Sequence, residues 1–153
     1  MEISDFNFIA GSWDSRQWRL VKPLSGNDDG YEFDATLECQ VLLGGAATFD
    51  VMRAPEHDLE GITLRLYSPQ EQVWRIWWAS KTSGGQLDVP VVGRFVDGIG
   101  TFECDDTFEG TAIRVRYEWS QVDTPNPRWQ QAFSTDAGQS WEVNWVATFR
   151  RRS

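Results

Sequence analysis

Histidine is nearly absent from this chain; His57 is the single one in 153 residues. A Ser/His/Asp or Cys/His device, a histidine metal site or an axial haem ligand would all have to use that residue. Its setting, Pro55-Glu56-His57-Asp58, reads as a solvated turn. Carboxylate catalysis could invoke Glu118 and Glu142, but both fall on the alternation expected to face solvent, and Asp105-Asp106 reads as loop acid. No catalytic group, metal or cofactor is therefore expected. Cysteine is scarce too. Cys39 and Cys104 each sit within a strand-like run, which reads as two buried thiols rather than a bridge. No apolar run is long enough to span a membrane, and the acidic start MEISDF lacks the regions of a signal peptide, so the cytoplasm is the expected location. Positive charge is outnumbered, with 14 Lys and Arg against 23 Asp and Glu and a formal net charge of -9. That field repels a phosphate backbone or an anionic bilayer, so neither nucleic acid nor membrane is expected as a partner. The cluster Arg150-Arg151-Arg152 is too short to reverse it. Oligomeric state is not legible.

What is abundant is aromatic surface, 9 Trp, 9 Phe and 3 Tyr, on a period of two. Tyr31, Phe33, Ala35, Leu37, Cys39 and Val41 alternate with polar residues over eleven positions. Ile62, Leu64 and Leu66 alternate with Thr63, Arg65 and Tyr67. Trp74, Ile76 and Trp78 share a face, as do Ile113, Val115, Tyr117 and Trp119. Trp13 and Trp18 lie on opposite alternations, which predicts a bulge or sharp twist in the first strand. Asp97-Gly98 marks a tight hairpin. Ten strands follow one another through connections too short for crossovers, so neighbours are antiparallel. A ten-strand meander with one apolar face leaves costly edges unless it closes. The expected fold is all-β: a single domain over 1–153 forming an antiparallel up-and-down ten-stranded barrel. A short N-terminal helical plug is expected over Asp5–Ala10, and a two-sheet sandwich is the alternative.

The last quarter, RWQQAFSTDAGQSWEVNWVATFR, reads as an aromatic hairpin. Its turn, Ser134 to Trp141, matches S-x-D-x-G-x-x-W and so resembles the Asp-box of sialidases and related propellers. There is one copy, whereas a propeller needs repeated blades. The motif therefore reads as local turn chemistry: Asp136 accepts backbone N–H groups, Gly138 supplies positive φ, and Trp141 folds back over the loop.

Gly11-x-Trp13 at the start of the first strand, with Arg150 ending the last, resembles the calycin signature. The resemblance implies that an arginine of the last strand covers Trp13, Arg150 by position with Arg151 next in line. The motifs GSW, LRLYSP, PVVGRF, VRYEWS and RWQQAFSTDAGQSWEVNW resemble an uncharacterised bacterial family of lipocalin-like barrels. That resemblance implies a fold and no activity.

Carried around the sheet, the apolar alternation points Tyr31, Phe33, Leu64, Trp78, Val115 and Tyr117 inward, with Phe133, Trp141 and Trp145. Leu66, Trp74, Phe95 and Trp119 share that side, while Arg65, Arg114, Arg116, Glu118, Glu142 and Asn144 point out. Gln131 is the one amide of the inward set, either a polar anchor for a ligand or an amide satisfied by Tyr117 or an indole. Gly93 marks either spare space or a bend. An aromatic pocket with few polar groups suits a small, largely apolar or aromatic molecule. The expected ligand-binding residues are Tyr31, Phe33, Leu64, Trp78, Val115, Tyr117, Gln131, Phe133, Trp141 and Trp145. The alternatives are an isomerase, cyclase or hydratase working by enclosure, or a filled barrel acting through its surface.

Overall fold

The computed structural model describes residues 3–152. Ten strands are present: β1 (Gly11–Leu20), β2 (Gly30–Leu42), β3 (Ala47–Ala54), β4 (Leu59–Ser68), β5 (Val73–Ser80), β6 (Val91–Val96), β7 (Ile99–Phe108), β8 (Thr111–Ser120), β9 (Arg128–Ser134) and β10 (Glu142–Arg151). Each pairs antiparallel with its sequence neighbours, and β1 pairs with β10, so the sheet closes into a barrel without a free edge. Closure satisfies the backbone groups that an open meander would leave bare. Among the described residues no helix is long and apolar enough to cross a membrane.

The expected helical plug is not there. The segment before β1 is irregular and ends in one 3-10 turn, Asn7–Ile9. It still closes the base, because its apolar side chains enter the barrel. The Phe6 ring lies 4.9 Å from Trp74 and 5.1 Å from Phe95, and Asp5 accepts a hydrogen bond from Trp74 Nε1 at 3.0 Å. Trp13 Nε1 donates to the Ile9 carbonyl at 2.9 Å. Asp5, Phe6 and Ile9 supply these contacts from a stretch shorter than a stable isolated helix needs, so packing rather than helix propensity fixes the segment.

Above Trp13 lies an arginine, but it is Arg151. Its Cζ sits 4.2 Å from the indole centroid, and its Nη1 donates to the Ala10 carbonyl at 2.7 Å. The register explains the correction: Trp13 pairs with Arg151 and Asp14 with Arg150, so Arg150 belongs to the opposite face.

β1 carries no bulge. Its register with β2 is continuous from Gly11 to Leu20. Trp13 faces in, while Trp18 lies outside against Gly30, where a Cβ would meet the indole at 2.2 Å. The bulge is in β10, between Val143 and Trp145. The extra residue is Asn144, which is buried. Such an insertion reverses facing on one side of itself. Trp145, Ala147 and Phe149 therefore face in, while Trp141 does not.

The weakest junction is between β5 and β6, joined by three residue pairs from Trp74–Gly93 to Ile76–Val91. Beyond them the 81–90 connection runs alongside β5, and the Asp88 N–H donates to the Trp78 carbonyl at 2.8 Å. Gly93 marks neither spare space nor a bend alone. A Cβ there would lie 1.8 Å from the Thr101 carbonyl oxygen, so the glycine permits close approach of β6 and β7.

Candidate functional site: the barrel lumen

The connections 21–29, 55–58, 81–90, 109–110 and 135–141 gather at the end opposite the N-terminal segment. Between them and the packed base is a cavity of about 430 Å³, within the range of small-molecule sites. Its wall is a chain of rings. Trp78 meets Trp145 edge-on at 5.9 Å, Trp145 meets Trp129 at 5.5 Å, and Trp129 meets Tyr117 at 5.2 Å. Gly61 makes room for the first, since a Cβ there would lie 2.1 Å from the Trp78 ring.

The lumen also holds more polar chemistry than the alternation implies. Trp145 Nε1 donates to Gln17 Oε1 at 2.8 Å, and Gln17 Nε2 donates to Ser15 Oγ at 3.2 Å. Arg19 lays its guanidinium 4.1 Å from the Trp145 ring centroid. Arg65 is buried inside, its Nη1 donating to Asp50 Oδ2 at 2.8 Å and Thr48 Oγ1 at 3.0 Å. Its Nε is buried with no acceptor among the described residues. Burial pushes the Asp50 carboxyl up from its ordinary value, and the Arg65 guanidinium opposes that push. Burial likewise raises the Tyr117 phenol, with the Asp88 carboxylate adding to it. Near the mouth, Asp88 is pushed up first by burial and then by Asp106. The Cys104 thiol rises to about 11, through burial and then the charges of Asp106, Asp105 and Asp88.

Six of the ten residues expected to bind a ligand line this cavity: Trp78, Val115, Tyr117, Gln131, Phe133 and Trp145. Four do not. Tyr31 and Phe33 are on the inner face, but their rings pack against His57 at 5.3 and 5.0 Å, beside the mouth. Leu64 points away from the lumen, and so does Leu66, because β4 runs in the register opposite to the one expected. Burying Arg65 beside Asp50 sends Ile62, Leu64 and Leu66 outward. Trp141 folds over its turn, 3.4 Å from where a Gly138 Cβ would lie, and sits outside beneath Arg116 at 4.2 Å. The Gln131 amide is satisfied neither by Tyr117 nor by an indole; its Nε2 donates to Asn144 Oδ1 at 2.8 Å. Arg65 and Asn144, expected outside, are both buried. Glu142 accepts from the Leu24 N–H at 2.8 Å.

The expected set omits Trp129 of the wall and the polar lining residues Gln17, Arg19, Asp50 and Arg65. Asp50 and Arg65 were legible only as a pair. Each polar side chain alone reads as solvent-facing, and their strands must be aligned before the two meet. His57, in the 3-10 turn Pro55–His57, is not among the cavity's lining residues. Among the described residues no three His, Cys, Asp or Glu side chains converge as metal ligands would.

Closed ten-strand topology around an internal cavity defines a lipocalin-like β-barrel. Rv2717c from M. tuberculosis is similar, with a TM-score of 0.59 and 13% identity over 95% of this chain and 94% of that one. The S-type phycobiliprotein lyase CPES from Guillardia theta is similar with a TM-score of 0.56 and 13% identity, over 100% of this chain and 94% of the other. At such identities the likeness is one of fold alone. No protein-family model and no curated protein matches this sequence.

Proposed function

We propose that the lumen binds a small, largely aromatic molecule whose polar end meets the interior amides and arginines. The observation that carries this reading is the cavity of about 430 Å³ walled by Trp78, Trp145, Trp129 and Tyr117, into which Gln131 and Arg65 also reach. Planar rings stack on such a wall, and the few polar groups fix orientation. The reading takes the chain as a calycin, on Gly11-x-Trp13 and its arginine cover. A fold shared with a protein named a phycobiliprotein lyase is compatible with it.

A matched pair of probes tests the proposal. Titration with 2-methylnaphthalene and with naphthalene-2-carboxylate should quench tryptophan emission saturably and raise Tm with concentration, by ~2.7 kcal/mol of stabilisation at a hundredfold excess over Kd. Gln131→Leu should weaken the carboxylate and spare the hydrocarbon, because only the former uses the amide. Absence of saturable quenching by either probe overturns the reading.

The buried Asp50–Arg65 pair favours a second reading, an isomerase, cyclase or hydratase acting by enclosure, since a buried carboxyl with a raised pKa can move a proton. Incubation with a small-molecule extract and mass spectrometry separates the two. Binding returns captured molecules unchanged. Catalysis depletes one and accumulates another, and stops in Asp50→Asn.

A further inference from the structure

Arg65 carries a buried donor that the fold does not answer. Its side chain is 5% exposed and lines the cavity toward the base, with Cζ 4.9 Å from the Phe6 ring centroid and 5.7 Å from that of Trp119. Both of its hydrogen bonds leave from Nη1, to Asp50 Oδ2 and Thr48 Oγ1. The other edge of the guanidinium, formed by Nε and Nη2, has no acceptor among the described residues, and Nε is buried. A guanidinium presents its donors in a fixed planar fork, and a buried donor without an acceptor costs free energy until one arrives. Asp50, Thr48 and the two rings hold that fork in place, so the unused edge is fixed before anything binds.

We propose that this edge receives a neutral carbonyl oxygen, and that the guest of the lumen is an uncharged aromatic carbonyl compound, such as an aryl ketone or a quinone, bound with its oxygen toward the base. The assignment rests on the lumen being a binding site; charge then selects the guest. Asp50, 2% exposed and 2.8 Å away, already balances Arg65. A guest carboxylate on the other edge would set two anions about one cation in a poorly solvated base, and neither would be fully compensated. Arg19 stands at the mouth end of β1 and answers the acids there, Asp88 and Asp106. Two acids against one arginine, with a formal net charge of -9 overall, oppose the entry of an anion. A carbonyl oxygen brings two lone pairs and no charge, so it meets both N–H groups of the edge without adding an uncompensated ion. The wall suits the rest of such a guest. The Trp145 indole N–H is already taken by Gln17, which leaves that ring as apolar surface for a flat conjugated system.

Equilibrium dialysis with three probes of similar shape tests the assignment: 2-acetylnaphthalene, the hydrocarbon 2-isopropylnaphthalene and the anion naphthalene-2-carboxylate. The ketone should bind the wild-type protein about tenfold or more tighter than either of the others, as a charge-assisted bond from a buried donor implies. Its carbonyl stretch, read by infrared difference spectroscopy, should fall below the value in an apolar solvent. Arg65→Met combined with Asp50→Leu removes donor and counter-charge together, and there the Kd values of ketone and hydrocarbon should converge. If that double variant does not fold, the wild-type Kd ratios and the carbonyl stretch decide alone. A ketone no tighter than the hydrocarbon overturns the inference, while saturable hydrocarbon binding leaves the lumen reading standing. A carboxylate tighter than the ketone overturns it in favour of an anionic guest. Absence of saturable binding by all three removes both.

Discussion

Arg65 and Asp50 hold each other 2.8 Å apart inside the barrel, with side chains 5% and 2% exposed. Removing one partner strands the other charge in a poorly solvated lumen. Arg65→Met should therefore destabilise the barrel by ~3–5 kcal/mol, whereas Arg65→Met combined with Asp50→Leu should cost far less than the single change. Urea unfolding of the three proteins gives the comparison; equal losses in single and double variants would show that packing rather than charge governs the site.

Trp13 is covered by Arg151, so the two neighbouring arginines should differ on truncation. Arg151→Ala loses a cation–π contact worth ~0.5–1 kcal/mol at an exposed site, plus the bond to the Ala10 carbonyl. Arg150→Ala should leave Tm nearly unchanged. Thermal unfolding of both variants decides it, and the reverse ranking would contradict the register.

Asp136 organises the last hairpin turn through Ser140, whose Oγ donates to Oδ2 at 2.6 Å and whose N–H donates to Oδ1 at 2.9 Å. Ser134 Oγ donates to Oδ1 at 2.7 Å. These bonds, those of Ser140 foremost, hold the carboxyl at about 2 against an ordinary 3.8. A carboxyl depressed on folding contributes stability that is complete above its ordinary value and is lost as pH falls through the folded one. Wild-type Tm should thus drop between about pH 4 and pH 2 by more than that of Asp136→Asn; identical acid limbs would remove the role of the charge.

Cys104 lines the lumen with its thiol raised to about 11. Alkylation by iodoacetamide should be slow at neutral pH and rise ~tenfold per pH unit below that value, since the thiolate reacts. Removing the charge that raises it most, Asp106→Asn, should speed labelling at fixed pH. A rate unchanged by that substitution would mean access, not ionisation, controls the thiol.

The architecture was legible because alternation over β2, β5 and β8 is long, and short connections leave one topology. The ring of Trp78, Tyr117 and Trp145 followed from the same period. The errors of facing share one cause: alternation says which residues share a face and leaves open which face is inside. On β4 both faces carry bulk, and the choice was made by Asp50 of the adjacent strand, with which Arg65 pairs. In β10 one inserted residue, Asn144, exchanged inside for outside upstream of itself, and no local signal announces a bulge without glycine or proline. The plug failed because its apolar spacing suited a helix, while contacts with Trp74 and Phe95 fixed an irregular chain instead.

Three residue pairs between β5 and β6 give the wall a seam. Parting it breaks far fewer bonds than unfolding the barrel, so it should open in local fluctuations well below the global unfolding free energy. Asp88 and Val89, beside the seam, also line the cavity. A guest would then leave sideways, its residence time tracking how often this edge breathes rather than how wide the mouth stands. Amide exchange at Val91–Phe95 should consequently slow when the lumen is filled, while the long β1–β2 pairing stays protected throughout.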